Sequence, residues 1–379
     1  MLGNTFGRMF RVTTAGDSYG GGLAAIVDGV PPGIEVKEEY IQEELDKRRP
    51  GPGDIDAAGK ESDQVEIFAG LRDGYTTGAP VGMIVHNGDT LPRDAEEYED
   101  IRDLIRPGHA DYTHRVKYDE YADWCDAGRA FERETVGRVA AGAVAKKILR
   151  SRGIKICSYV HRLGEIEGST EGMTFDEIEQ NSLKNAIFCP DPKIAEKMIE
   201  VIREAEEEGD TVGGVIEVLA TGVPAGLGEP VFDTLSATIS HGLMSIPGVT
   251  GIGIGKGFGL TRMKGSRAHD IPYVDEEEGR IRFRTNLSGG IHDGISNGED
   301  ILVKVGIKPT PPSSLSQPTV NMATMEEAEL EPTTGCNPTI CHRMCAVTSA
   351  MVRIAILDHL IMWIGYDGVS DVEHALSWW

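Results

Sequence analysis

The sequence predicts an α+β fold, and two observations carry that expectation. Helical stretches and alternating, antiparallel-looking strand stretches are mixed along the chain. No G-x-G-x-x-G run opens a helix, so a dinucleotide-binding parallel sheet has no support. From the N-terminus, residues 8–14 (RMFRVTT), 65–69 (VEIFA) and 80–86 (PVGMIVH) show the period of two of half-buried strands. Residues 100–105 (DIRDLI) predict a short helix. Residues 132–152 (ERETVGRVAAGAVAKKILRSR) predict a long, Ala-rich amphipathic helix that stops at Gly153. Residues 192–208 place lysines and glutamates around Ile194, Ala195, Met198, Ile199 and Ile202, a strong helical pattern. A strand follows at 214–221 (GVIEVLAT), then an amphipathic helix at 234–246 (TLSATISHGLMSI). In 251–257 (GIGIGKG) glycine recurs at every second position, which fits a strand closely approached on one face. Residues 301–308 (ILVKVGIK) alternate as a strand, and 346–365 read as a buried helix. The polar, Pro/Ser-rich stretch 309–331 predicts a mobile loop. With no fixed-period repeat and no obvious linker, the expectation is one domain over residues 1–379.

Composition narrows the function. The 379 residues hold 37 Lys+Arg against 61 Asp+Glu, a formal charge of −24, which excludes nucleic-acid backbone binding as the main role. Hydrophobic residues at 40% against 26% charged exclude a disordered chain. The start lacks the apolar core of a signal peptide. The stretch nearest to membrane length, 351–364, contains Arg353, Asp358 and His359, so no membrane partner is expected. Six cysteines are too few for a disulfide scaffold, and a cytoplasmic protein is expected.

Several motifs occur in order: GNTFGRMFRVTTAGDS (3–18), IVDGVPPG (26–33), DKRRPG (46–51), TTGAPVGM (76–83), RPGHADY (106–112) and RETVGRVAAGAVAKK (133–147). DTVGGVIEVLATGVPAGLGEPVFD (210–233), KGSRAHD (264–270), SGGIHDGISNG (288–298) and IKPTP (307–311) continue the series. Together they resemble the chorismate synthase family over nearly the whole chain. The resemblance implies a β-α-β sandwich, with central helices between antiparallel sheets, and a homotetramer or homodimer. It also implies an anti-1,4-elimination on an anionic cyclic substrate, 5-enolpyruvylshikimate 3-phosphate, giving chorismate with reduced FMN. By the same resemblance, His109 supports the reduced flavin, and Arg48 and Arg49 bind substrate. Arg129, Arg133, Ser288, Gly289, Gly290, Lys308 and Thr310 fall at cofactor positions. The chemistry requires these types: a phosphate and two carboxylates need arginines, and a flavin ring needs a glycine-lined slot.

The sequence also departs from the family pattern. Tyr19 stands where a histidine follows serine in the first motif, and Asp54 stands where an arginine for phosphate is usual. Ala130 and Phe131 replace two serines, and Asp293 replaces a flavin-contacting glycine. The family's Arg-His-Asp-Pro-Cys reads Gly335-Cys336-Asn337-Pro338-Thr339, so Asn337 cannot act as the base an aspartate would be. Ser349 stands in place of a glutamate. Cys336, Cys341 and Cys345, with His342 beside them, could instead ligate a metal or an iron–sulfur cluster with one open iron; His269, His292 and Asp293 would be further ligands. Buried thiols acting as small hydrophobes are the plainer reading. The readings that stand open are therefore the FMN-dependent lyase, a lyase paralogue acting on a different, shikimate-related ring compound, a metal or iron–sulfur dehydratase or lyase, and a non-catalytic assembly partner.

Overall fold

Strict alternation sorts the strand side chains before any tertiary contact is considered. In the computed structural model, which describes residues 3–49, 62–88, 101–123, 128–312, 314–332 and 337–366, Leu23, Ala25 and Val27 of one strand are buried while Ile26 is exposed. That strand belongs to a five-stranded antiparallel sheet built from β1 (Thr5–Phe6), β2 (Arg11–Gly16), β3 (Gly22–Asp28), β4 (Val65–Ala69) and β5 (Val81–His86), in the order β1-β2-β3-β5-β4. A second antiparallel sheet has β6 (Lys155–Leu163), β7 (Ile166–Glu167), β8 (Gly214–Thr221), β9 (Val249–Ile254) and β10 (Ile301–Ile307), in the order β9-β10-β8-β6-β7. Ile301, Val303, Val305 and Ile307 of β10 all face inward.

Helices fill the space between the sheets. The described helices are α1 (Glu38–Arg48), α2 (Asp111–Tyr118), α3 (Thr135–Ser151), α4 (Phe175–Ser182), α5 (Pro192–Glu207), α6 (Leu235–Met244) and α7 (Cys341–Tyr366). Helix α3 lies on the first sheet, α7 lies on the second, and the two pack on each other. This is the expected β-α-β sandwich. Gly142 makes the helix contact close: a Cβ there would lie 2.4 Å from the Ala350 Cβ. Helix α7 is long and apolar enough to cross a membrane, but its apolar surface is buried in the middle layer.

Two buried carboxylates tie the layers. Glu44 of α1 meets Lys146 of α3 at 2.7 Å and Arg353 of α7 at 2.5 Å, with Lys47 also at 2.5 Å. Arg353 continues to the Ile156 carbonyl of β6. Asp358 of α7 accepts the backbone N–H groups of Arg8, Met9 and Phe10, which fixes the turn between β1 and β2. That turn explains why the strand expected from residue 8 begins only at Arg11.

Two local expectations differ from the structure. Residues 101–105 form a turn and a single bridge from Leu104 to Asn321, not a helix. A stretch this short has no net gain from helical hydrogen bonds, and Ile105 N–H instead donates to the Val320 carbonyl. Their partner is a hairpin, β11 (Gln317–Asn321) and β12 (Glu326–Leu330), inside the stretch expected to be a loop. The Asn321 carboxamide accepts from the N–H groups of Ala323 and Thr324 and so closes its turn.

Candidate active site

The first cluster sits at the end of the first sheet. Tyr19 lies half-buried in the loop between β2 and β3, and Asn87, just past β5, holds that loop. The Asn87 amide donates to the carbonyls of Asp17 (3.0 Å), Ser18 (3.1 Å) and Gly20 (2.8 Å). Its oxygen accepts from Arg133 Nε at 2.9 Å. Arg133 and Arg48 both bind Asp63, at 2.8 and 2.6 Å. Burial opposes the charge on Asp63, but the two guanidiniums outweigh it and hold the carboxyl below its usual value. Arg49 pairs with Asp46 at 3.1 Å. Arg129, placed by resemblance on the cofactor, is committed to Asn4, to the carbonyls of Thr14 and Gly16, and to the Thr14 hydroxyl. Phe131 caps the 3-10 turn that carries Arg133. The next residue, Glu132, receives Arg343 at 2.9 Å, which ties this cluster to the start of α7.

A second cluster gathers His109, Lys308, Thr310 and Asn337. Lys308 Nζ donates to the Gly108 carbonyl at 2.8 Å, and the Thr310 hydroxyl donates to the Asn337 carbonyl at 2.9 Å. Asp111 grips Arg106 through both carboxylate oxygens. Burial, then the Arg106 charge, pushes His109 from 6.5 down to about 4; Lys308 adds to this and Asp111 opposes it. His109 is therefore a neutral hydrogen-bonding group near pH 7.

This shift has a sign for stability. Because the folded pKa of His109 lies below the unfolded one, the unfolded chain binds more protons between about pH 6.5 and about 4. The stability tied to His109 is complete above pH 6.5 and is lost as pH falls toward 4. His109→Asn should remove about 2 kcal/mol of the acid-induced loss between pH 7 and 4.5. Urea unfolding at the two pH values measures it, and parallel losses in both proteins would refute the assignment.

A third cluster forms around Asp270, which sequence reasoning did not single out. Asp270 accepts from the Thr285 hydroxyl at 2.6 Å, Leu287 N–H at 2.7 Å, Ser288 N–H at 2.9 Å and the Ser288 hydroxyl at 2.6 Å. Burial opposes its charge, and these hydrogen bonds overcome it, so its pKa is well below the usual range. His292 Nε2 is 3.5 Å away. Gly289 and Gly290 both have positive φ, and a Cβ on Gly289 would lie 2.3 Å from Gly255 N. Gly289 is hydrogen-bonded to Leu302 at the start of β10, whereas Lys308 follows its end. The strand rise separates the two by about 20 Å, so the structure does not bring Ser288, Gly289 and Gly290 beside Lys308 and Thr310 within one chain.

The thiol-ligand expectation is corrected. Cys341 and Cys345 are buried in the core face of α7, with the Cys341 sulfur against Gly214 of β8. Burial pushes the Cys341 thiol up to about 11 and Cys345 well above its usual value, so neither is a ready thiolate. His269 is bonded to the Gly265 carbonyl, His292 stacks edge-on against Phe283, and Asp293 is exposed at φ +50°. Among the described residues no group of three or more His, Cys, Asp or Glu can hold a metal ion. Cys336, Gly335 and Asp54 lie outside the described residues.

Asp63, Asn87, Asp270 and Arg343 are the site residues that the sequence reading missed. Asp63 and Asn87 flank the strands expected at 65–69 and 80–86, and that position was their one available signal.

The family model for chorismate synthase matches residues 10–361. A chorismate synthase from Acetivibrio thermocellus is 51% identical over 386 residues, 98% of each chain. One from Methanosarcina mazei is 44% identical, covering 95% of this chain and 97% of its own. A crystal structure of a chorismate synthase superposes with a TM-score of 0.75 at 30% identity, over 98% of this chain and 97% of that one.

Proposed function

Because the chain belongs to the chorismate synthase family, we propose that it is a lyase that converts 5-enolpyruvylshikimate 3-phosphate into chorismate with reduced FMN. The observation that carries this is the identity of 44–51% to chorismate synthases over 95–98% of the chain. The family generally uses reduced FMN, which supplies transient electron density to the departing phosphate. The residues present fit such an anionic partner. Lys308 and Arg106 flank a desolvated, neutral His109, and an anion placed there would relieve the positive field that depresses it.

The chain's own groups then take these roles. Arg48 and Arg49 bind the anionic substrate and Arg133 faces the anionic cofactor, with the Arg48–Arg133 pair fixed from behind by Asp63. His109, kept neutral at pH 7 by its burial, offers the reduced flavin an uncharged hydrogen-bonding group. Tyr19 donates a hydrogen bond from a loop pinned at three carbonyls. Asn337 orients and does not take a proton. Lys308 and Thr310 hold the cofactor, and Ser288, Gly289 and Gly290 form a separate glycine-lined element. A homotetramer is the assembly the family resemblance implies.

The test is an anaerobic assay of the purified chain with chemically reduced FMN and 5-enolpyruvylshikimate 3-phosphate. Chorismate and inorganic phosphate should appear in equal amounts. A folded, FMN-binding protein that releases neither would overturn the proposal.

A further inference from the structure

We infer that Asp63 is a positioning residue that sets both the anion-binding arginines and the loop bearing Tyr19; this rests on the functional reading above. Its side chain is 1% exposed, and its two oxygens go to different guanidiniums. Oδ2 receives Arg48 at 2.6 Å and Oδ1 receives Arg133 at 2.8 Å. Arg133 passes the constraint through Nε to Asn87, whose amide holds the carbonyls of Asp17, Ser18 and Gly20. One continuous chain of hydrogen bonds thus runs from Asp63 to the backbone on both sides of Tyr19.

Three further features make Asp63 more than an incidental counter-ion. Its φ is +45°, a left-handed conformation that costs an aspartate free energy and that delivers the carboxylate between the arginines. Two guanidiniums on one carboxylate leave one unit of positive charge for an incoming anion. Arg48 is buried and its Nε has no hydrogen-bond partner among the described residues, so a donor is left over in the pair. An amide at position 63 would offer one acceptor and one donor. The donor would face a guanidinium, and one arginine would have to turn away.

The two arms of the chain predict different kinetics. With reduced FMN and 5-enolpyruvylshikimate 3-phosphate, Asp63→Asn should raise KM about tenfold or more, because the arginine pair loses its alignment. Asn87→Ala frees the loop and removes one contact of Arg133 but leaves both Asp63 ion pairs in place, so it should lower kcat about tenfold with a smaller change in KM than Asp63→Asn gives. Asp63→Glu keeps the charge and should recover much of the KM. A purely structural role would lower the melting temperature without this KM and kcat split. If Asp63→Asn does not fold, Asp63→Glu and Asn87→Ala decide the matter, and unchanged KM and kcat in both would overturn the inference. Inorganic phosphate serves as a probe that needs no turnover: it should raise the melting temperature of the wild type more than that of Asp63→Asn, and equal shifts would also overturn it. A wild type that forms no chorismate would sink the functional reading while leaving this phosphate comparison in force.

Discussion

Glu44→Ala is expected to destabilise the fold by about 3–5 kcal/mol, because three cations lose their shared carboxylate inside the middle layer. Lys146 and Arg353 are buried, so water cannot replace Glu44 without opening the packing of α1, α3 and α7. Burial already pulls Lys146 from 10.5 down to about 8, against the raising effect of Glu44. Without Glu44 its ammonium has less support and gives up its proton more readily. The loss should therefore be largest at acid pH and should shrink as pH rises toward about 8, because Lys146 of the variant loses its proton there first and no longer repels Arg353; above about 8 Lys146 is neutral in both proteins. Urea denaturation of wild type and variant across that range measures both parts. A variant within 1 kcal/mol of wild type at pH 7 would show that the ion cluster contributes little.

Asp270→Ala should have the second large effect, this time on the glycine loop. Four hydrogen bonds from Thr285, Leu287 and Ser288 end on that carboxylate. Removing it leaves buried N–H groups unpaired, and the turn through Gly289 and Gly290 should loosen. Amide hydrogen exchange at Leu287 and Ser288 should accelerate, and FMN affinity read by flavin fluorescence should fall about tenfold. If the exchange rates stay at their wild-type values, Asp270 does not hold the loop. If they rise while FMN affinity holds, the loop does not contact the cofactor.

The regular elements were legible where one periodicity dominated. Residues 65–69 and 214–221 match β4 and β8 residue for residue, and 192–208 differs from α5 only at its end. The alternation of β10 needed no tertiary information. What failed was local order set by distant partners. The turn at residues 101–105 depends on a hairpin more than 200 residues later, and the start of β2 depends on Asp358. Helices α1, α2 and α4 carried no expectation, since short charged helices have little apolar stripe to read. The site shows the same division. Arg48, Arg133, His109 and Lys308 stand in motifs, so resemblance found them. Asp63 acts by accepting from Arg48 and Arg133 in other elements, and Asp270, although it closes the motif KGSRAHD, acts by holding a loop 15–18 residues later, which no periodicity shows. The cysteine spacing was suggestive as a string, but burial in the core face of α7 makes Cys341 and Cys345 packing residues.

Helix α7 is the last described element along the chain, yet α1, α3 and α6 all pack on it in the central layer. Both sheets precede it. While the ribosome is still producing residues before 341, the second sheet has its inward face formed in sequence but nothing to cover it. Asp358 and Arg353, which bind the first turn of the chain and the Glu44 cluster, have not yet been made. Closure of the sandwich must therefore wait until residues 341–366 have emerged, so the earlier segments spend synthesis as incomplete, adhesive intermediates.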